Sequence, residues 1–264
     1  MPETRHGLYF ETTDLCAPWR TPGVPVVFHH GIGTTLDVWS DWLPTIAPHH
    51  PVLRFDMRGF GKSVIPPTDH HWSLDEMVSD LWNVIDSAGY DTVHLVGESF
   101  GATVVMAAAV ANSERVRSVR VLNGTYKGNG LGELENWASQ FANGSSAGWS
   151  KRMMENRFAP GAASPDALAW FEREQAKTHP HVAIGLGSVL AQTDLTDGLK
   201  QLKVPLSVVL PDASPFVPVA HGHDMVALAQ NAHLRVVPGV RHGLPFSHAR
   251  QEAQALLEAL NRPG

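Results

Sequence analysis

Residues 92–111 read TVHLVGESFGATVVMAAAVA. A short β-rich run, Val93–Val96, meets Gly97-Glu98-Ser99-Phe100-Gly101, and small and apolar residues at helical spacing follow. This is G-x-S-x-G between a strand and a helix, the context that gives the pattern its meaning. So sharp a turn leaves almost no room for side chains at its flanks, hence the two glycines. It forces the central serine into a strained backbone conformation. The hydroxyl then sits at a helix N-terminus, where free N–H groups favour developing negative charge. Ser99 is therefore the candidate nucleophile. The apolar run 103–111 is half a membrane span and reads as a buried helix.

Outward from this turn, β-rich runs alternate with helical ones. VPVVFHH (24–30), PVLRFDM (51–57), VRSVRVLNG (116–124), VPLSVVL (204–210) and HLRVVPG (233–239) are expected strands. Residues 35–47 have helical spacing, and 73–89 open with a capping box, Ser73 followed by Glu76. Leu74, Met77, Leu81 and Ile85 line one face of that helix, and Gly89 stops it. Strict alternation requires crossover connections, so the fold class is α/β with a doubly wound, mostly parallel sheet. Some 80 residues separate the expected strands at 116–124 and 204–210, too many for a loop. Rich in Trp, Met, Phe and Ala, they read as a helical cap over 127–197. The sheet domain is then 1–126 with 198–264.

Composition narrows the class of function. Of 264 residues, 43% are apolar and 17% charged, and the net charge is −6. Nucleic acid or an anionic membrane would require clustered Lys and Arg, so neither partner is expected. One cysteine, Cys16, forms no internal disulfide and points to a reducing compartment. The first ten residues, MPETRHGLYF, lack the layout of a secretory signal. A cytoplasmic protein is the expectation, with the oligomeric state open.

A serine nucleophile needs a base. Among 15 histidines, position decides: the turn after the last strand carries Arg241-His242-Gly243. His242 is the candidate base; His221, His223, His233 and His248 read as solvated or helix-bound. An oxyanion hole needs two backbone donors. The residue after the nucleophile, Phe100, supplies one, and the glycine-rich loop His30-Gly31-Ile32-Gly33 supplies Ile32 as the other. His29 and His30 read as residues that stiffen this loop. Asp56, in the turn 55–63, is expected to pair with Arg58 or cap the turn.

The segments HHGIG (29–33), FDMRGFGKS (55–63), GESFGA (97–102) and PGVRHG (238–243), in that order, resemble the α/β-hydrolase superfamily over nearly the whole chain. The resemblance implies that fold with its cap, a Ser nucleophile, a His base and an acid, and no metal or organic cofactor. A narrower likeness, in 121–130, 138–160 and 192–210, is to 3-oxoadipate enol-lactonases and their unassigned relatives. It implies a small-molecule ester or lactone as substrate, with Arg152 or Arg157 of the cap available for a carboxylate. Trp137, Phe141, Trp149 and Phe158 are candidate pocket walls, although such stripes are more often plain core. A carbon–carbon bond hydrolase needs the same serine and histidine. A ligand-binding member without catalysis is the rival from another class.

The acid departs from the family pattern. The family turn Gly-Asp/Glu-x-Asp-x-x-x-Pro aligns with PDASPFVP (211–218), which puts Asp212 on the first acid and Ser214 in the catalytic seat. The alternative seat, after the expected strand 116–124, holds Asn123. Three readings stand: Asp212 takes over through a changed loop path; Ser214 or Asn123 orients His242 without charge; or catalysis has been lost. Asp212 is named with Ser99 and His242 as the best available carboxylate.

Overall fold

Short, mostly apolar runs such as VVFH and LSVVLP become strands because both faces of the central sheet are covered, so no regular polar side is needed. The computed structural model describes residues 7–129, 131, 139–141 and 145–261. Its seven strands are β1 (Phe10–Thr13), β2 (Val26–His29), β3 (Val52–Phe55), β4 (Val93–Glu98), β5 (Val116–Leu122), β6 (Leu206–Pro211) and β7 (Ala232–Val237). They lie in the order β1-β3-β2-β4-β5-β6-β7, with every neighbouring pair parallel except β1 and β3.

Alternation along the strands divides the core. Val27, Leu53, Leu95, Val121 and Val208 belong to one apolar cluster, and Val26, Phe28, Val52, Val96 and Val209 to the other. On the second face a 3₁₀ turn over Leu36–Trp42 runs into α1 (Leu43–Ile46). The sequence pattern suggested one continuous helix there. Pro44 has no N–H to carry the α-helical ladder backward, so the first turns tighten instead. On the first face lie α2 (Leu74–Ser87) and α3 (Phe100–Ala111). The Ser73 hydroxyl caps α2 by accepting from the Glu76 N–H at 3.1 Å. Every residue of α3 from Phe100 to Ala109 is buried, as expected of a helix apolar all round.

Between β5 and β6 the described chain is helical: α4 (Ser146–Arg157), α5 (Pro165–Gln175), α6 (Pro180–Gln192) and α7 (Thr196–Gln201). Then come α8 (Val219–Leu228), α9 (Leu244–Ser247) and α10 (Ala249–Leu260). Asp56 does not pair with Arg58. It accepts from the N–H groups of Leu36 and Lys62, both at 2.8 Å, while Arg58 binds Asp80 through two nitrogens. The Cys16 Sγ donates to the Ala47 carbonyl at 3.6 Å.

Three histidines in or beside the sheet are held neutral. Burial, reinforced by His30, pushes His29 down to about 3; burial takes His30 to about 4, and burial with His50 and Arg117 takes His94 to about 4. As pH falls below 6.5 the unfolded chain binds protons at these sites and the folded chain does not, so stability falls. The slope approaches about 1.4 kcal/mol per site per pH unit only well below 6.5, so the three together remove roughly 5 kcal/mol between pH 6.5 and pH 5. Glu98 and Asp56, pushed up by burial, return part of this loss. The urea midpoint is expected to drop steadily over that interval; a flat midpoint contradicts the assignment.

Candidate active site

The carboxyl ends of β2, β4, β5, β6 and β7 open on one edge of the sheet, where parallel α/β folds place their ligands. Ser99 joins β4 to α3 with φ 54° and ψ −121°, a conformation that L-residues rarely adopt. Its glycines are sterically required: a Cβ on Gly97 would lie 2.5 Å from Ala102 Cα, and one on Gly101 2.5 Å from the His30 carbonyl. The Ser99 N–H donates to the Leu122 carbonyl at 2.9 Å, which ties the turn to β5.

His242, on the loop after β7, is 3% exposed. Its Nε2 lies 3.0 Å from Ser99 Oγ and its Nδ1 3.0 Å from Ser214 Oγ. The Ser214 oxygen also accepts the Phe216 N–H at 3.3 Å. The Ser214 hydroxyl can accept a proton from Nδ1 or donate one to it, and the tautomer with the proton on Nδ1 is the one that leaves Nε2 a lone pair facing Ser99. Ser99, His242 and Ser214 thus form one hydrogen-bonded row with no carboxylate in it. Phe216 packs edge-on against the imidazole at 4.7 Å.

The other two seats are occupied differently from what the sequence suggested. Asp212 is exposed and does not meet the imidazole. Its Oδ1 accepts the Gly239 N–H at 2.7 Å, and its own N–H donates to the Val237 carbonyl at 3.2 Å. The carboxylate therefore closes the end of the β6–β7 pair, and the chain reaches the histidine two residues later. Asn123, fully buried with φ 56°, donates from Nδ2 to the His242 carbonyl and does not touch the ring. It holds the histidine loop by its main chain.

Beside Ser99 lies a pocket lined by Ile32, Thr125, Leu131, Met153, Arg157, Leu190, Phe216, Val217 and His242. The aromatic walls expected from the sequence are elsewhere. Trp149 is fully buried and stacks on Phe141 at 5.0 Å; Phe158 packs against Phe171 and Phe246. These rings join the helices to one another, and the cavity is faced mostly by aliphatic side chains together with Phe216. Trp137 lies outside the described residues. Ile32 lines the pocket, and Phe100 opens α3, where a helix leaves its first N–H groups without intrahelical partners.

One buried pair escaped the sequence reading. Glu98, in the variable slot before the serine, is 2% exposed in its side chain and 3.5 Å from Arg157 Nη1. Arg157, at the end of α4, donates from Nη2 to the Ile32 carbonyl at 2.7 Å. A charged residue in that slot was the available signal, since a buried carboxylate needs a partner. Burial, with the Arg157 charge in second place, pushes His242 well below its ordinary 6.5.

Residues 24–249 match the family described as alpha/beta hydrolase fold. The chain belongs to that family. The α/β-hydrolase fold extends to solved structures: the enol-lactonase from Burkholderia xenovorans LB400 superposes with a TM-score of 0.87, covering 97% of this chain and 96% of that one at 17% identity. Among curated proteins, a non-heme haloperoxidase of Rhodococcus erythropolis is 27% identical over 84% of this chain and 86% of its own length. The 2-hydroxy-6-oxo-2,4-heptadienoate hydrolase of Pseudomonas putida is 36% identical, over 36% of this chain and 35% of its own. The alignments span less than half the length of the first curated relatives matched, at 44%, 12% and 35%. No helix among the described residues of this α/β-hydrolase chain is long and apolar enough to cross a membrane.

Proposed function

We propose that this chain is a serine hydrolase of small esters or lactones with a largely apolar acyl part. The single observation carrying the reading is the row Ser99 Oγ, His242 Nε2, His242 Nδ1 and Ser214 Oγ, with both contacts to the ring at 3.0 Å. Ser99 Oγ attacks the carbonyl carbon and its proton passes to His242 Nε2. The N–H groups of Ile32 and Phe100 hold the oxyanion. As the tetrahedral species collapses, the leaving oxygen takes the proton from Nε2 and an acyl-Ser99 remains. Water then gives a proton to His242 and attacks the acyl carbon, and collapse releases the acid and restores the serine. Each oxyanion donor contributes roughly 3–4 kcal/mol to the transition state. The helices between β5 and β6 act as a cap that supplies aliphatic walls, which suits a compact apolar acyl group.

Mass spectrometry after a fluorophosphonate probe tests this directly. The adduct is expected on Ser99 and absent in Ser99→Ala; a wild-type chain that takes no adduct there defeats the reading. A pH profile adds a second check. Catalysis needs neutral His242, so kcat/KM is expected to hold steady down through pH 6.5 and fall only at lower pH, because burial keeps the ring from protonating. An acid limb above 6.5 contradicts this. Cleavage of a carbon–carbon bond beside a carbonyl is a second reading, favoured by the 36% identity to a protein named as an oxo-heptadienoate hydrolase. It predicts turnover of a vinylogous diketone but not of an aryl ester.

A further inference from the structure

The Ile32 N–H belongs to the peptide unit whose carbonyl is that of Gly31. In a planar trans peptide the N–H points opposite the C=O, so whatever fixes the Gly31 carbonyl aims the Ile32 donor. That carbonyl accepts from His30 Nδ1 at 2.8 Å and from Thr34 Oγ1 at 3.1 Å. His30 has the proton at Nδ1 because its Nε2 accepts the Met57 N–H at 2.8 Å. The flanking groups are held as well. The Gly31 N–H donates to Glu98 Oε2 at 3.2 Å, and the Ile32 carbonyl accepts from Arg157 Nη2 at 2.7 Å.

The last two contacts come from one buried pair. Glu98 Oε1 lies 3.5 Å from Arg157 Nη1, with side chains 2% and 4% exposed. Glu98 directly precedes the nucleophile, and Arg157 ends a helix between β5 and β6. The same helix end reaches the histidine loop: Gly243 N–H donates to the Arg157 carbonyl at 2.8 Å and His242 N–H to the Asn156 carbonyl at 3.4 Å. Three loops of the site therefore meet at residues 156–157.

We propose that Arg157 is a positioning residue of the oxyanion hole. His30 and Thr34 aim the Ile32 N–H through the Gly31 carbonyl; Arg157 holds the following peptide by the Ile32 carbonyl and Glu98 the preceding one by the Gly31 N–H, so the pair braces the donor's peptide from both sides. The inference rests on Ser99 being the nucleophile, and it makes the helical segment a structural part of the catalytic site. Glu98 links the nucleophile turn to the same clamp, so the two donors are set relative to each other.

Arg157→Met alone would strand a buried carboxylate and risk misfolding. The informative variant is Glu98→Gln with Arg157→Met, which removes both charges and keeps an acceptor for the Gly31 N–H. Losing one oxyanion donor outright costs about 10²–10³ in kcat, so a mis-aimed donor is expected to cost about 30- to 100-fold, with KM within about twofold. Affinity for a trifluoromethyl ketone, which forms the same oxyanion, falls in parallel. Arg157→Lys keeps the acid limb of the pH profile in place, whereas the methionine variant moves it to higher pH. Full kcat in the double variant, or a raised KM at unchanged kcat, overturns the proposal and makes Arg157 at most a substrate contact. Hydrogen exchange over residues 29–35 reads the clamp without catalysis. It is expected to rise in the double variant while exchange in β4 stays put. Unchanged exchange there overturns the proposal even in a chain that hydrolyses no ester, whereas a missing Ser99 adduct in the wild type defeats only the serine-hydrolase reading.

Discussion

Ser214→Asp is expected to raise kcat for an activated ester by about 10²-fold. Removing the acid from a complete triad costs about 10⁴ in turnover, through lost orientation of the ring and lost support for the imidazolium. Ser214 Oγ, 3.0 Å from Nδ1, already supplies orientation. What it cannot supply is negative charge, so the part to be recovered is the electrostatic one. A carboxylate there also raises the imidazole's affinity for a proton, so the acid limb of kcat/KM should move to higher pH as turnover climbs. Asp212→Asn should change kcat less than about threefold, because that carboxylate binds the Gly239 N–H. Unchanged turnover in Ser214→Asp, or collapse in Asp212→Asn, would reverse the assignment.

Ser99→Ala is expected to cost only about 10²-fold in the natural chain. Where a full triad has been dissected, losing the serine costs about 2 × 10⁶ and losing the acid alone about 3 × 10⁴ in kcat, and the losses do not add. A chain that already lacks the acid has only the remainder to lose, about 70-fold. In the Ser214→Asp background the same substitution should cost about 10⁴, since the restored charge acts only through the serine–histidine pair. Equal losses in the two backgrounds would show that residue 214 does not work through His242.

The parallel strands were legible because largely buried ones such as β2, β4 and β6 read as short, mostly apolar runs bounded by turns. β1 was not: Phe10–Thr13 is a four-residue antiparallel edge of alternating burial, with nothing to separate it from a loop. Ser99 and His242 were readable as candidates from motif and position, and the fold brings Oγ and Nε2 within 3.0 Å of each other. Counting from the prolines placed Ser214 in the acid's seat, where its Oγ meets Nδ1. The carboxylate preferred by its chemistry, Asp212, lost to a main-chain N–H. The pocket walls were misread for a physical reason. Large rings at helical spacing serve whichever face they pack on, and Trp149 and Phe158 pack between helices. Glu98 and Arg157 lie 59 positions apart, and only the crossover topology brings them together.

The placement of a long helical segment between β5 and β6 also has a cost in time. β5 pairs with β6 from Val119–Leu206 to Leu122–Val209, yet residues 123–205 must emerge between them during synthesis. At about 5–20 residues per second the ribosome takes roughly 4–16 s to deliver them. Throughout that interval β5 has no β6 to pair with, and an unpaired strand edge is the kind of surface on which nascent chains aggregate. Yield of native protein should therefore depend on how fast this stretch is translated and on which chaperones meet it, even where the finished fold is stable.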